Sequence, residues 1–184
     1  MTANASKCGL FLCPIEHDFT IEDTKQFITA LEHIGLIAKP IDKQENSFYT
    51  GERYLDYIAY MGCAPTIQFE ASETNSEFCH IRIHQHQTSQ LIVSKMQARA
   101  PHCPGCDKPV KDWQDNLSDE TIRCSACKTT SSIAAYHWRK MGGYARVFIE
   151  ITDIYPKEAI PQQLLLDKLT GISKVDWQYF YSCG

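Results

Sequence analysis

The sequence predicts an α+β fold on three observations. A strand, a helix and a strand follow one another at each end of the chain, FCHIRIHQHQ alternates like one strand of a half-covered sheet, and four cysteines gather in the middle, in HCPGCDKPVKDWQDNLSDETIRCSAC. At 184 residues the chain is long enough for one core of ordinary size, which buries roughly 70% of the unfolded surface. Its 43% hydrophobic and 22% charged residues are those of a folded globular protein, with no segment biased enough to be disordered.

The elements follow in order. CGLFLCPI is a short apolar run that reads as a buried strand. A helix comes next: Thr20 stands three residues before Asp23 in a capping-box pattern, Phe27, Ile28, Leu31 and Ile34 share a face, and Gly35 offers a stop. LIAKPI is a second strand, placed at a sheet edge by Pro40, and DKQENS is a loop. ERYLDYIAYM carries helical spacing at Tyr54, Leu55, Ile58 and Met61, and the helix is the preferred reading, although YIAYM alone suits a strand equally well. TIQFE is a strand candidate and ASETNSE a turn. FCHIRIHQHQ puts Cys79, Ile81 and Ile83 on one face and His80, Arg82, His84 and His86 on the other, with QLIVSKM as its hairpin partner. Beyond the cysteines, YARVFIEITDIY is a strand, and PKEAIPQQLLLDKLTG a helix with Pro161 in its first turn and Gly171 at its end. VDWQYFY closes the pattern as a strand with Trp177, Tyr179 and Tyr181 on one face and Phe180 on the other, which only a strand covered on both sides would bury. This order suits a ferredoxin-like sandwich, with helices on one face of an antiparallel sheet and strand-helix-strand units at both ends.

Cys103 and Cys106 form one Cys-Xaa-Xaa-Cys step, Cys124 and Cys127 another, and seventeen residues separate them. That spacing is the one expected of a four-cysteine zinc site. Two intervening residues let each pair curl both sulfurs toward one ion, and the longer segment can form a hairpin that joins the pairs. Four thiolates fill a tetrahedron, so the predicted cofactor is one structural Zn2+ with no position open for substrate. The segment resembles a zinc ribbon over about residues 100–138. The glycine that many ribbons carry after each second cysteine is here Asp107 and Lys128, and lysine tolerates the left-handed conformation less well than aspartate. KPVKDW and ETIRC are expected to pair as the hairpin, with TTSSIAAYHW as a third strand. The implied organisation is an α+β domain of residues 1–99 and 139–184, interrupted by the ribbon at 100–138. A redox dithiol is the rival reading of the thiols, but neither pair follows a strand and opens a helix.

Other residues carry further candidates. His80, His84 and His86 share a strand face on which two imidazoles at i and i+2 could grip an ion, completed by Glu70 or Glu77, as in a metal-dependent enzyme. Arg82 among them favours an anion instead. His102 and His137 flank the ribbon as alternative nitrogen ligands. Arg139, Lys140 and Arg146 stand among aromatics around Gly142 and Gly143, a composition suited to nucleic acid or another anion, and equally to a core strand bounded by a glycine turn. The formal charge of −4 is uneven: residues 95–146 carry a balance of +4 and the remainder −8. No phosphate loop, nucleophile elbow, HExxH or dinucleotide fingerprint is present. Cys63 and Cys183 are thiols that a distant histidine could activate, though either suits an inert buried position.

The first nineteen residues lack the features of an export signal, and no apolar run approaches the ~20 residues of a membrane span. Nine cysteines, an odd number, fit a reducing compartment in which Cys8, Cys13, Cys63, Cys79 and Cys183 act as small hydrophobes, so a cytoplasmic location is expected. Cys8 and Cys13 fall on opposite faces of their strand and cannot bridge each other. The leading expectation is a zinc-binding protein acting as a non-enzymatic binding or scaffolding module for a protein partner. The alternatives are nucleic-acid binding through the basic centre and a metal-dependent enzyme built on the histidine face.

Overall fold

The computed structural model describes residues 8–62, 67–96, 99–155 and 158–184. The fold is α+β with antiparallel sheets. Its elements are β1 (Cys8–Pro14), α1 (Thr24–His33), β2 (Ile37–Pro40), β3 (Ser47–Thr50), α2 (Tyr54–Tyr57), β4 (Ile58–Tyr60), β5 (Ile81–Val93), β6 (Leu117–Ser118), β7 (Thr121–Arg123), β8 (Thr130–Ser132), β9 (Gly142–Ile154), β10 (Ala159–Pro161), α3 (Gln163–Ser173) and β11 (Trp177–Ser182). No helix among the described residues is long and apolar enough to cross a membrane.

The main sheet has six strands in the order β11-β1-β9-β5-β3-β2. Alternation decides its faces. Leu10 and Leu12 of β1, Ile81 and Ile83 of β5, and Val147, Ile149 and Ile151 of β9 are buried in one core with Phe27 and Leu31 of α1 and Leu165 and Leu169 of α3, so both long helices cover one face. Phe11, Cys13, Phe148 and Phe180 form a smaller cluster on the other face. Trp177, Phe180 and Tyr181 of the edge strand β11 are all buried, as two-sided cover requires. Gly143 makes room for Phe180: a Cβ there would lie 2.3 Å from the ring. Pro40 sits at the opposite edge, where its missing N–H leaves no gap in the ladder.

Several expectations are corrected. FCHIRIHQHQ and QLIVSKM do not form a hairpin; from Ile81 to Val93 they make the single strand β5, which pairs with β9 on both sides of a register shift between Gln85 and Gln90. The residues between Gln85 and Gln90, where such a hairpin would turn, are bulged out and held by Ser89, whose hydroxyl donates to the His17 carbonyl at 2.9 Å. The cap of α1 is Asp23, which accepts from the Gln26 N–H at 3.0 Å, rather than Thr20. Helical spacing across residues 52–61 yields only the four residues of α2, because Ile58–Tyr60 pairs as β4 with β10. That pairing also takes Pro161 out of the helix, while Gly171 lies within α3 and the left-handed residue at its end is Lys174, φ 65°. Of TIQFE, Thr66 lies outside the described residues and the remainder forms no strand.

Cys8 and Cys183 are joined as a disulfide, which corrects the expectation that both are thiols and removes Cys183 as a candidate nucleophile. The register explains it. Gly9 lies opposite Ser182 in the β1–β11 pair, and the next step outward brings Cys8 beside Cys183 with their Cα atoms 4.4 Å apart. Cys63 lies outside the described residues.

Candidate metal centre

The cysteine-rich segment forms a three-stranded sheet, β6-β7-β8. β7 pairs with β6 rather than with KPVKDW, whose one β-bridge joins Pro109 to His102, and the third strand is limited to Thr130–Ser132 before a short 3-10 turn at Ile133–Ala135. Its core is small: Val110, Ile122, Ile133, Tyr136 and Trp138 pack with Cys103 and Cys124, and Tyr144 of β9 joins them from the main sheet. Trp113 meets Trp138 edge to face at 5.0 Å. The Tyr136 hydroxyl donates to the Ile122 carbonyl at 2.9 Å, and the Trp138 indole N–H to Ile133 at 3.1 Å.

Each Cys-Xaa-Xaa-Cys step curls in the same way. The Asp107 N–H donates to the Cys103 carbonyl and the Lys128 N–H to the Cys124 carbonyl, both at 2.9 Å. Both turns then pass through the left-handed region, Asp107 at φ 56° and Lys128 at φ 66°, the positions where a glycine is common. The two knuckles bring all four sulfurs within 4.8 Å of one another, with 3.7 Å between Cys103 and Cys127 and 3.8 Å between Cys106 and Cys124. A tetrahedron with metal–sulfur bonds of ~2.3 Å has edges of about 3.8 Å, so the donor set and its spacing fit a four-thiolate ion. The Gly105 N–H donates to the Cys103 sulfur at 3.3 Å, an outer contact of the kind that favours a thiolate. Hydrogen bonds from Thr129, side chain and then backbone, hold the Cys127 thiol down at about 6. Cys106 is pushed up to about 11: a backbone hydrogen bond at Lys108 opposes the rise, and desolvation and the neighbouring thiols outweigh it.

The other candidate ligands do not join this group, nor do they make a second one among the described residues. His80 is buried, its Nδ1 2.9 Å from both the Phe78 carbonyl and the Thr152 hydroxyl and its Nε2 3.2 Å from Arg82. His84 binds Glu150 through Nε2 at 2.7 Å and stacks on His86. Glu150 also meets Arg82 at 3.5 Å, a pairing the sequence does not signal because the two residues face each other across β5 and β9. His80, Arg82, Glu150 and Thr152 line a cavity of 620 Å³. His102 bridges Asp107 at 3.2 Å and Arg139 at 3.4 Å, while His137 is exposed at the end of the cysteine-rich segment. Arg146 donates to the His86 carbonyl at 3.2 Å, apart from Arg139 and Lys140, which share the turn after Trp138. No protein-family model, curated protein or solved structure matches the chain.

Proposed function

We propose that this is a zinc-binding protein in which Cys103, Cys106, Cys124 and Cys127 close one structural Zn2+ centre, and that it works as a binding or scaffolding module without turnover. The carrying observation is the fit of four converging sulfurs to a tetrahedral edge. A centre of four protein ligands has no open position for water or substrate. Its role is to hold together a segment whose own core is too small, for which a bound zinc supplies ~10 kcal/mol or more. The same reading takes residues 100–138 as a zinc ribbon inserted into a discontinuous domain of 1–99 and 139–184. The order β11-β1-β9-β5, with α1 after β1 and α3 after β9, supports a ferredoxin-like sandwich for that domain, extended at one edge by the β2–β3 hairpin. Four metal-binding thiols favour a reducing cytoplasm, and the Cys8–Cys183 disulfide weighs against it.

Elemental analysis of purified protein is expected to give one zinc per chain, and Cys103→Ser with Cys106→Ser is expected to lose it. Full metal retention in that double variant defeats the reading. An iron-loaded centre, which four thiolates also accommodate, reveals itself by visible absorption that zinc lacks.

A further inference from the structure

A cleft of 190 Å³ lies where the ribbon meets the main sheet, and we infer that it binds a phosphate group carried on a planar base, the chemistry shared by a free nucleotide and a single nucleic-acid strand. His137 and the turn residues Arg139 and Lys140 line one side, and Gln178 and Tyr179 of β11 the other. Arg139 and Lys140 bring two cations to it, and no Asp or Glu among the described residues lines it, in a chain whose net charge is −4. The Lys140 ammonium lies 3.3 Å above the Tyr179 ring centre, and the Lys140 carbonyl accepts from the Tyr181 N–H at 3.0 Å, so the turn is pinned to β11. The Arg139 guanidinium also reaches His102 Nε2 at 3.4 Å, and His102 Nδ1 lies 3.2 Å from Asp107 on the opposite side of the ring.

The backbone gives the second, independent observation. Arg139 at φ 55° and Lys140 at φ 59° are consecutive left-handed residues in a turn closed by the Met141 N–H to the Trp138 carbonyl at 2.9 Å. Glycine and asparagine are the residues that suit such a turn, and the chain places Gly142 and Gly143 just beyond it. Two long cations held against local preference, side by side at the rim of a carboxylate-free cleft, mark a site kept for charge. The volume is too small for a whole cofactor, which needs roughly 300 Å³ or more. It suits one phosphate, with the exposed His137 ring available to a flat base.

The inference rests on the zinc-ribbon reading insofar as the ribbon holds His137 and the turn in place, so metal content is measured in every sample. The probe is a fluorescently labelled oligothymidylate of about 12 nucleotides, a site size within the range for single-stranded binding, followed by anisotropy with the zinc-loaded full chain. Binding is expected to weaken about sevenfold between about 50 and 200 mM salt, the dependence for two phosphate contacts on a single strand. Arg139→Gly with Lys140→Gly relaxes the turn while removing both charges: affinity should fall at least about tenfold, with zinc retained and the unfolding temperature unchanged or raised. His137→Ala should cost at least about fivefold. Competition by adenosine monophosphate assigns the site to free nucleotides; binding without competition assigns it to strands. Absence of binding by protein carrying one zinc, or unchanged affinity in the double glycine variant, overturns the inference and leaves the metal reading intact. Oligonucleotide binding by wild-type protein free of metal does the reverse.

Discussion

His80 shows how one polar side chain is accommodated inside the sheet. Its backbone alternates with Ile81 and Ile83, so it points to the helix-free face, yet Phe78 tilts against its ring at 5.1 Å and it is buried. Arg82 can only donate, so Nε2 accepts and Nδ1 carries the proton, directed at the Phe78 carbonyl and the Thr152 hydroxyl. Burial holds its pKa below the ordinary 6.5. The Phe78 backbone contact works against that shift, Arg82 reinforces it, and Glu150 and Asp153 oppose it. The unfolded chain therefore binds a proton that the folded chain refuses between the depressed value and 6.5, and stability falls as pH drops through that window. His80→Gln is expected to flatten the loss: denaturant midpoints measured at about pH 7.5 and pH 5.5 should differ less than in the wild type. An unchanged difference would place the acid sensitivity elsewhere.

Among the elements, α1 depends on its ends. Asp23 satisfies one of the N–H groups left open by the first turn, and Gly35 at φ 75° lets the chain leave in the left-handed region. Asp23→Ala is expected to cost about 1 kcal/mol, read from the denaturation midpoint, while zinc content stays the same. β1, α1, β9 and β11 were legible because their apolar repeats are local and match the faces they bury. The two knuckles were legible for the same reason, since two residues between cysteines dictate the curl. β5 was legible only as two separate runs, because Thr88 and Ser89 between them read as the turn of a hairpin and only pairing with β9 shows that one strand continues through it. β10 was also hidden: Pro161 can head a helix, and what decides otherwise is Ile58–Tyr60, far away in sequence. The Arg82–Glu150–His84 group stayed invisible because its members meet only across strands.

At the scale of the molecule, the first and last strands of the main sheet are neighbours, and Cys8–Cys183 crosslinks them over a sequence separation of 175. A loop of that size removes much of the freedom of the unfolded chain, and losing the bond is expected to cost about 2–5 kcal/mol. Cys8→Ser, or a phosphine reductant added to the wild type, should therefore lower the unfolding midpoint while one zinc per chain is retained. A midpoint that does not move under either treatment would mean the two sulfurs are not bonded in solution. The crosslink also has a mechanical consequence. Oxidised, the protein is a ring from Cys8 to Cys183, so a tug applied through the residues outside them loads a covalent bond and leaves the β1–β11 ladder unstretched; reduced, the same tug meets those hydrogen bonds directly and can peel the edge strand away.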